Sequence, residues 1–130
     1  MIGLDTTILI DLYKKDKKAL KLVQSINQNL YLNILTYLEL IRGIDPKNNK
    51  HQHEQTFYDK IFDVYPCLEL DKTSAKLSRN IFWKLKKEGK TISLIDATIA
   101  AIYLANGVKT IITKNKKDFE QIEGLEVLSY

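Results

Sequence analysis

The chain has 130 residues, of which 45% are hydrophobic, and a formal net charge of +4. This length suits one domain over residues 1–130, and the apolar content excludes a disordered chain. We expect neither a membrane span nor a signal peptide, because no apolar run can cross a bilayer and residues 1–5 lack a basic start.

The first half of the chain predicts two strands and three helices. A short apolar run over residues 1–4 ends at Asp5 and predicts a buried strand. Thr6 or Thr7 can cap a helix that begins at Ile8. The next segments are a helix over 19–26, a strand over 30–35, a helix from a cap at Thr36 to Gly43, and a polar loop over 45–50.

The second half continues the alternation. It predicts a helix around 57–62, a short strand or extended link over 64–70, a helix around 77–89, a helix from a cap at Ser93 to Gly107, and strands over 108–113 and 125–128. Alternating strands and helices favour a parallel sheet with helices on both faces. We therefore predict an α/β fold.

Four acidic residues lie where these elements could bring them together. Asp5 and Asp118 follow predicted strands, whereas Glu39 and Asp96 lie in the first turns of predicted helices. The loops at the carboxyl ends of parallel strands form the binding crevice of such sheets. Carboxylates gathered there repel each other unless a cation neutralises them, which a hard divalent ion with oxygen ligands can do. The pattern therefore suggests a divalent-metal site.

Each acid also has a purely structural interpretation. Glu39 completes a capping box with Thr36, and Asp96 stands in the same relation to Ser93. Asp5 could be a simple turn residue after a strand. Apolar neighbours on both sides of Glu39 and Asp96 favour the functional interpretation, because both acids project from largely apolar segments.

Other residues add context to the acids. Cys67 cannot form an internal disulfide, so we expect a reducing, cytoplasmic location and a buried thiol. Lysine-rich clusters can attract phosphate backbones, although a solvated surface is the commoner explanation when charge alone is considered. These clusters are Lys14, Lys15, Lys17, Lys18 and Lys21; Lys76, Arg79, Lys84, Lys86, Lys87 and Lys90; and Lys109, Lys114, Lys116 and Lys117. Five aromatic residues at helical spacing are predicted to lie in the core, with Trp83 the one that could be exposed at a partner surface. They are Phe57, Tyr58, Phe62, Phe82 and Trp83.

The ordered set of motifs resembles the PIN-domain ribonucleases and, within them, the VapC-type toxins of toxin–antitoxin pairs. The matching segments are residues 3–10, 35–40 with Gly43, 95–101, and 112–115 leading to Asp118-Phe119 and Gly124-Leu125. The resemblance implies a three-layer α/β/α sandwich with a central, mostly parallel sheet. It also implies an acidic pocket that holds Mg²⁺ or Mn²⁺, with Asp5 and Asp96 as principal ligands and Glu39 completing or orienting the site.

The chain departs from the family pattern at two positions. Thr7 stands where Asn or Ser is common, and its hydroxyl can still form a hydrogen bond there. Asn115 stands where some members carry Asp, and Asp118 follows three residues later. We favour Asp118 for the supporting fourth position.

The resemblance implies a metal-dependent endoribonuclease that hydrolyses phosphodiester bonds, dimerises and binds a small VapB-like antitoxin. An antitoxin Arg or Lys could pair with the acids, and Leu12, Tyr13 or Tyr37 could line its groove or belong to the protein's own core. A PIN nuclease of RNA processing without a toxin role, and a non-catalytic PIN scaffold, are the alternatives. A haloacid-type phosphatase is disfavoured, because Thr7 stands where it needs a second Asp.

Overall fold

Five short strands form one parallel sheet in the computed structural model, which describes residues 1–130. The strands are β1 (Ile2–Leu4), β2 (Leu30–Asn33), β3 (Cys67–Leu68), β4 (Thr110–Ile112) and β5 (Glu126–Leu128). The helices are α1 (Thr6–Tyr13), α2 (Lys17–Gln24), α3 (Ile34–Arg42), α4 (Gln52–Val64), α5 (Lys72–Lys87), α6 (Leu94–Ala105) and α7 (Lys116–Phe119), with a 3-10 turn at Asn49–His51.

The strand order is β3-β2-β1-β4-β5, and every pairing is parallel. β1 is central, with Gly3 opposite Tyr31 of β2 and Ile111 of β4. Because all strands point the same way, the residues that follow β1, β2 and β4 lie at one edge of the sheet. The predicted parallel α/β fold is confirmed.

Helices cover both faces of the sheet. Alternate strand residues point in opposite directions, so neighbouring residues of one strand pack against different helices. Ile2, Leu4 and Ile112 pack in a core with α1 to α4, whereas Ile111 packs with α5, α6 and α7. The strands are therefore buried on both sides, which explains their nearly continuous apolar sequences. None of the helices combines the length and apolarity needed to cross a lipid bilayer.

Gly3 allows α6 to approach the centre of the sheet. A Cβ atom at this position would lie 2.7 Å from the Tyr103 ring, which is fully buried. The Tyr103 hydroxyl donates to the Leu4 carbonyl and accepts from Asn33 Nδ2 at 3.0 Å. This side chain ties the ends of β1 and β2 to α6.

Two predicted helix starts are wrong. α1 begins at Thr6 rather than Ile8, and neither Thr6 nor Thr7 caps it. α3 begins at Ile34, and its cap is Asn33 rather than Thr36, since Asn33 Oδ1 accepts from the Thr36 amide at 2.9 Å. The strand before α3 therefore ends at Asn33, two residues earlier than predicted.

Two other predictions have different outcomes, and one helix is new. Ser93 caps α6 as expected, with its hydroxyl accepting from the Asp96 amide at 3.1 Å. α7 was not predicted. Cys67 is half-buried rather than fully buried, and burial raises the pKa of its thiol above the ordinary value.

Candidate active site

Asp5 directly follows the central strand and is only 3% exposed. Thr113, at the end of the neighbouring β4, donates its hydroxyl to Asp5 Oδ2 at 2.7 Å. Burial raises the pKa of Asp5 to about 6, and repulsion from Asp96 and Glu39 adds to the increase while the Thr113 hydrogen bond opposes it. A carboxylate held in this way is poised to accept a cation.

Glu39 lies on α3 and is half-buried. Thr6, the residue after Asp5, donates its hydroxyl to Glu39 Oε1 at 2.6 Å. The capping-box interpretation of Glu39 is wrong, because Thr36 is not the helix cap. The glutamate is turned instead towards the segment that carries Asp5.

Asp96 lies in the first turn of α6 and is half-buried. Asn115 Nδ2 donates to Asp96 Oδ2 at 3.3 Å. Burial raises the pKa of Asp96 above its ordinary value, and repulsion from Glu39 and Asp118 raises it further. The charges of Glu39 on α3 and Asp118 on α7 therefore both act on Asp96 at the start of α6.

The two candidates for the fourth position differ in their contacts. Asn115 bonds Asp96 through its side chain, and its backbone amide donates to Thr113 Oγ1 at 2.9 Å. Asp118 lies in α7 and acts on Asp96 through charge alone, since its side chain forms no hydrogen bond. Asn115 is therefore integrated into the site, while Asp118 stands at its margin.

A chain of hydrogen bonds links the acids. It runs from Asp5 to Thr113, from Thr113 to the Asn115 amide, and from the Asn115 side chain to Asp96. Our sequence reasoning missed the roles of Thr6 and Thr113. The available signal was their position, since Thr6 follows Asp5 and Thr113 ends a predicted strand.

A second network of hydrogen bonds lies next to the one that links Asp5 and Asp96. Thr7 Oγ1 lies 3.3 Å from Thr113 Oγ1 and accepts from the Lys114 amide at 3.0 Å. Asp11 accepts from the Tyr130 hydroxyl at 2.6 Å and pairs with the Lys114 ammonium at 2.7 Å. The departure at Thr7 thus preserves a hydrogen bond to the strand end.

The donor set suits a magnesium-like ion. No three carboxylate, imidazole or thiolate groups are close enough to form a complete ligand cage. Mg²⁺ does not require one, because it keeps several waters and binds through one or two carboxylates. A cation beside Asp5 and Asp96 would stabilise their charged forms and so offset the desolvation and repulsion that raise both pKa values.

Comparison with known proteins places the chain in a family. The PIN domain family matches residues 2–125. Ribonuclease VapC3 of Methanocaldococcus jannaschii is 34% identical over 100 residues, which cover 77% of this chain and 95% of that protein. Ribonuclease VapC of Rickettsia bellii is 32% identical over 127 residues, which cover 96% of this chain and 92% of that protein.

Solved structures agree with this assignment. The structure of VapBC-1 from Haemophilus influenzae contains a chain that is 28% identical, with a TM-score of 0.81 and coverage of 99% of this chain and 98% of that one. A chain of Rickettsia felis VapBC2, bound to a promoter DNA fragment, has the same fold with a TM-score of 0.85 at 21% identity, over 100% of this chain and 99% of that one. The chain therefore belongs to the PIN domain family and, within it, to the VapC ribonucleases.

Proposed function

We propose that this protein is a VapC-type toxin that hydrolyses phosphodiester bonds of cytoplasmic RNA with the help of Mg²⁺ or Mn²⁺. The observation that carries the proposal is the buried Asp5 carboxylate, linked through Thr113 and Asn115 to Asp96. Asp5, Glu39 and Asp96 are all present, which disfavours a non-catalytic scaffold.

Each side chain has a definite task in this proposal. Asp5 and Asp96 would hold the cation, while Glu39, fixed by Thr6, would complete or orient the site. When bound, the cation would neutralise charge on the phosphate and activate the attacking water. Asn115 keeps Asp96 in place, and Asp118 adds negative charge at the margin.

Nearby cations explain how an acidic pocket could accept a polyanion. Lys116 and Lys117 are exposed and begin α7 directly after Asn115. They can contact phosphates on either side of the scissile bond without reading sequence.

An antitoxin partner is supported by a groove that shares α3 with the site residue Glu39. The groove has a volume of about 500 Å³ and is lined by Ile34, Tyr37, Asp59, Phe62, Asp63, Cys67 and Glu69. Tyr37 and Phe62 pack edge to face at 4.9 Å, and three acidic residues border them. An antitoxin segment with apolar and basic side chains fits this lining, and its Arg or Lys could pair with the catalytic acids.

The other predicted groove residues belong to the core. Leu12 and Tyr13 are half-buried and pack on the α1–α4 side of the sheet. Tyr13 lies edge to face with Phe57 at 5.4 Å. Only Tyr37 of the predicted set lines the groove.

A homodimer remains part of the proposal, and light scattering of the purified protein would test it.

Cleavage of a structured RNA tests the nuclease proposal. Purified protein without a partner should cleave with Mg²⁺ or Mn²⁺ and stop with EDTA. Asp96→Asn should remove the activity, whereas Asp63→Asn, a matched change at an exposed acid on α4, should retain it. Cleavage that continues undiminished in EDTA would exclude the metal mechanism.

Expression tests the toxin role separately. Expression alone should slow growth, and co-expression with a small protein encoded directly upstream should restore it. A protein that cleaves RNA in vitro but leaves growth unchanged would instead be an RNA-processing nuclease.

A further inference from the structure

The outer face of α5 carries a row of cations interleaved with aromatic rings. We call this row the α5 track, which consists of Lys76, Arg79, Phe82, Trp83 and Lys86. Phe82 is 40% exposed and Trp83 is 48% exposed. The helix contains no acidic residue. Exposed rings in a purely basic setting distinguish this surface from the rest of the molecule.

Helical periodicity separates the track from the core. Residues spaced three and four apart share one face, so Lys76, Arg79, Trp83 and Lys86 line up along the outside. The opposite face, with Ile81 and Leu85, is buried in the core that α5 forms with α6. The exposed rings are therefore not unfilled core positions. Trp83 is exposed, as its sequence position allowed, whereas the core position predicted for Phe82 is wrong.

The rings and charges of the track contact each other. Phe82 and Trp83 pack edge to face with centroids 5.6 Å apart. The Lys86 ammonium lies 4.8 Å from the centre of the Trp83 ring and 5.7 Å from that of Phe82. Lys86, like Lys76 and Arg79, forms no ion pair with an acidic residue. The cations are thus available to an anionic ligand.

The track leads towards the candidate active site. β3 ends at Leu68, at the same edge of the sheet as Asp5, and α5 begins at Lys72. The helix has 16 residues and is therefore about 24 Å long, running away from that edge. Ser78 fixes it to α6 through a hydrogen bond of 2.9 Å to Thr98, two residues after Asp96.

We propose that the α5 track is a second binding surface for single-stranded RNA. The rings would stack on unpaired bases while the three cations hold the backbone, which is how proteins bind single strands without reading sequence. The proposal rests on the proposed function only for its ligand, since it takes the RNA substrate to extend beyond the cleavage site.

Charge and shape favour RNA over other occupants. A second copy of the chain would place one basic row against another. A protein partner would be expected to anchor an aromatic residue in a pocket, and neither ring lines the larger cavities of the surface. Stacking of a base needs only an exposed aromatic ring with cations nearby, which the α5 track provides.

Trp83 makes the test direct, because it is the only tryptophan of the chain. A 12-nucleotide uridine oligomer is added in EDTA at low salt, so that no metal-dependent cleavage occurs. We expect quenching of the tryptophan fluorescence that saturates and weakens with salt. The absence of quenching at saturating RNA would overturn the proposal.

Two matched triple variants distinguish RNA binding by the α5 track from a general effect of net charge. Lys76→Gln/Arg79→Gln/Lys86→Gln should raise Kd about tenfold and lower the salt slope by about 2, because each lost phosphate contact removes about 0.7. Lys17→Gln/Lys18→Gln/Lys21→Gln on α2 also removes three charges from exposed positions and should leave Kd nearly unchanged. Equal weakening by both triples would reduce the effect to net charge and overturn the proposal.

The contribution of stacking is measured with a labelled oligomer. Trp83→Ala should raise Kd between about fivefold and about a hundredfold, whereas Trp83→Phe should retain most of the binding. A change in the oligomeric state of RNA-free Trp83→Ala would identify the face as an interface between copies instead. Quenching without cleavage in Mg²⁺ would overturn only the nuclease proposal, and cleavage without quenching would overturn only this one.

Discussion

Asp5 and Asp96 occupy two halves of the candidate site that are built in different ways. Asp5 stands at the end of the central strand and is held by the neighbouring strand through Thr113. Asp96 stands on a helix, is half-buried, and contacts Asn115 at 3.3 Å. The strand half is fixed by sheet register, whereas the helical half depends on how α6 and α7 pack.

Because Asp5 is more buried than Asp96, its charged form destabilises the folded state more. Asp5 carries a buried charge at neutral pH, for which the protein provides one side-chain donor. Asp96 can share its charge with solvent. We therefore expect changes in the strand half to alter both stability and activity, and changes in the helical half to alter mainly activity.

The largest expected effect is the pH dependence that Asp5 imposes on metal-free protein. Its folded pKa of about 6 lies above the ordinary value of 3.8, so the folded state binds the proton more tightly. The stability from the protonated form is present below about pH 4 and is lost as the pH rises through 6, by about 3 kcal/mol. Denaturant unfolding of wild type and Asp5→Asn from pH 4 to 7 measures it.

The difference between these two proteins isolates Asp5 from other titrating groups. Asp5→Asn should be more stable than wild type at pH 7 and lose that advantage near pH 4. Parallel stability curves for the two proteins would show that Asp5 carries no buried charge.

Tyr103→Phe probes the support of the strand half. The change removes the hydroxyl that bonds the Leu4 carbonyl and Asn33, leaving buried polar groups unpaired. We expect a loss of about 1–3 kcal/mol in the free energy of unfolding. Tyr13→Phe is the control, because the Tyr13 hydroxyl is in none of the hydrogen bonds of the site. Equal losses in both variants would remove the special role of Tyr103.

The threonines that hold the acids offer a paired comparison of activity. Thr6→Val frees Glu39 and Thr113→Val frees Asp5, so each should reduce cleavage about 10- to 100-fold, as loss of a supporting contact does at metal sites. Thr113→Val should also lower stability, whereas Thr6→Val should not. Cleavage rates and thermal unfolding of both variants test this difference, and equal losses of stability in the two variants would contradict it.

The smallest effect concerns the fourth position. Asn115→Ala removes the side chain that holds Asp96 and should weaken cleavage more than Asp118→Asn, which removes only a charge at the margin. Initial rates at several Mg²⁺ concentrations compare them. A larger loss in Asp118→Asn would restore our original preference for Asp118.

The sequence predicted the fold well because its signals are local. Apolar runs and helical spacing marked the parallel sheet and the helices on its two faces. The helix starts failed where two local signals compete. Thr36 suits a cap, but Asn33 is fixed by Tyr103 and caps α3 first.

The candidate site was only partly predictable for a different reason. The acids could be selected by their place after strands and in first turns. The position of Thr113 at a strand end was a signal, but its pairing with Asp5 could not be predicted. The two residues lie 108 positions apart, and their contact depends on the register of β1 and β4. Spacing along the chain carries no record of such pairs.

The central claim is that Asp5 and Asp96, from the two halves, share one divalent cation. A ligand that binds only the folded state raises its stability. The most direct test is thermal unfolding at pH 7 with and without Mn²⁺ for wild type, Asp5→Asn, Asp96→Asn and Asp63→Asn. We expect Mn²⁺ to raise the unfolding temperature of wild type and Asp63→Asn, and we expect either site variant alone to abolish the increase. An undiminished increase in both site variants would contradict it.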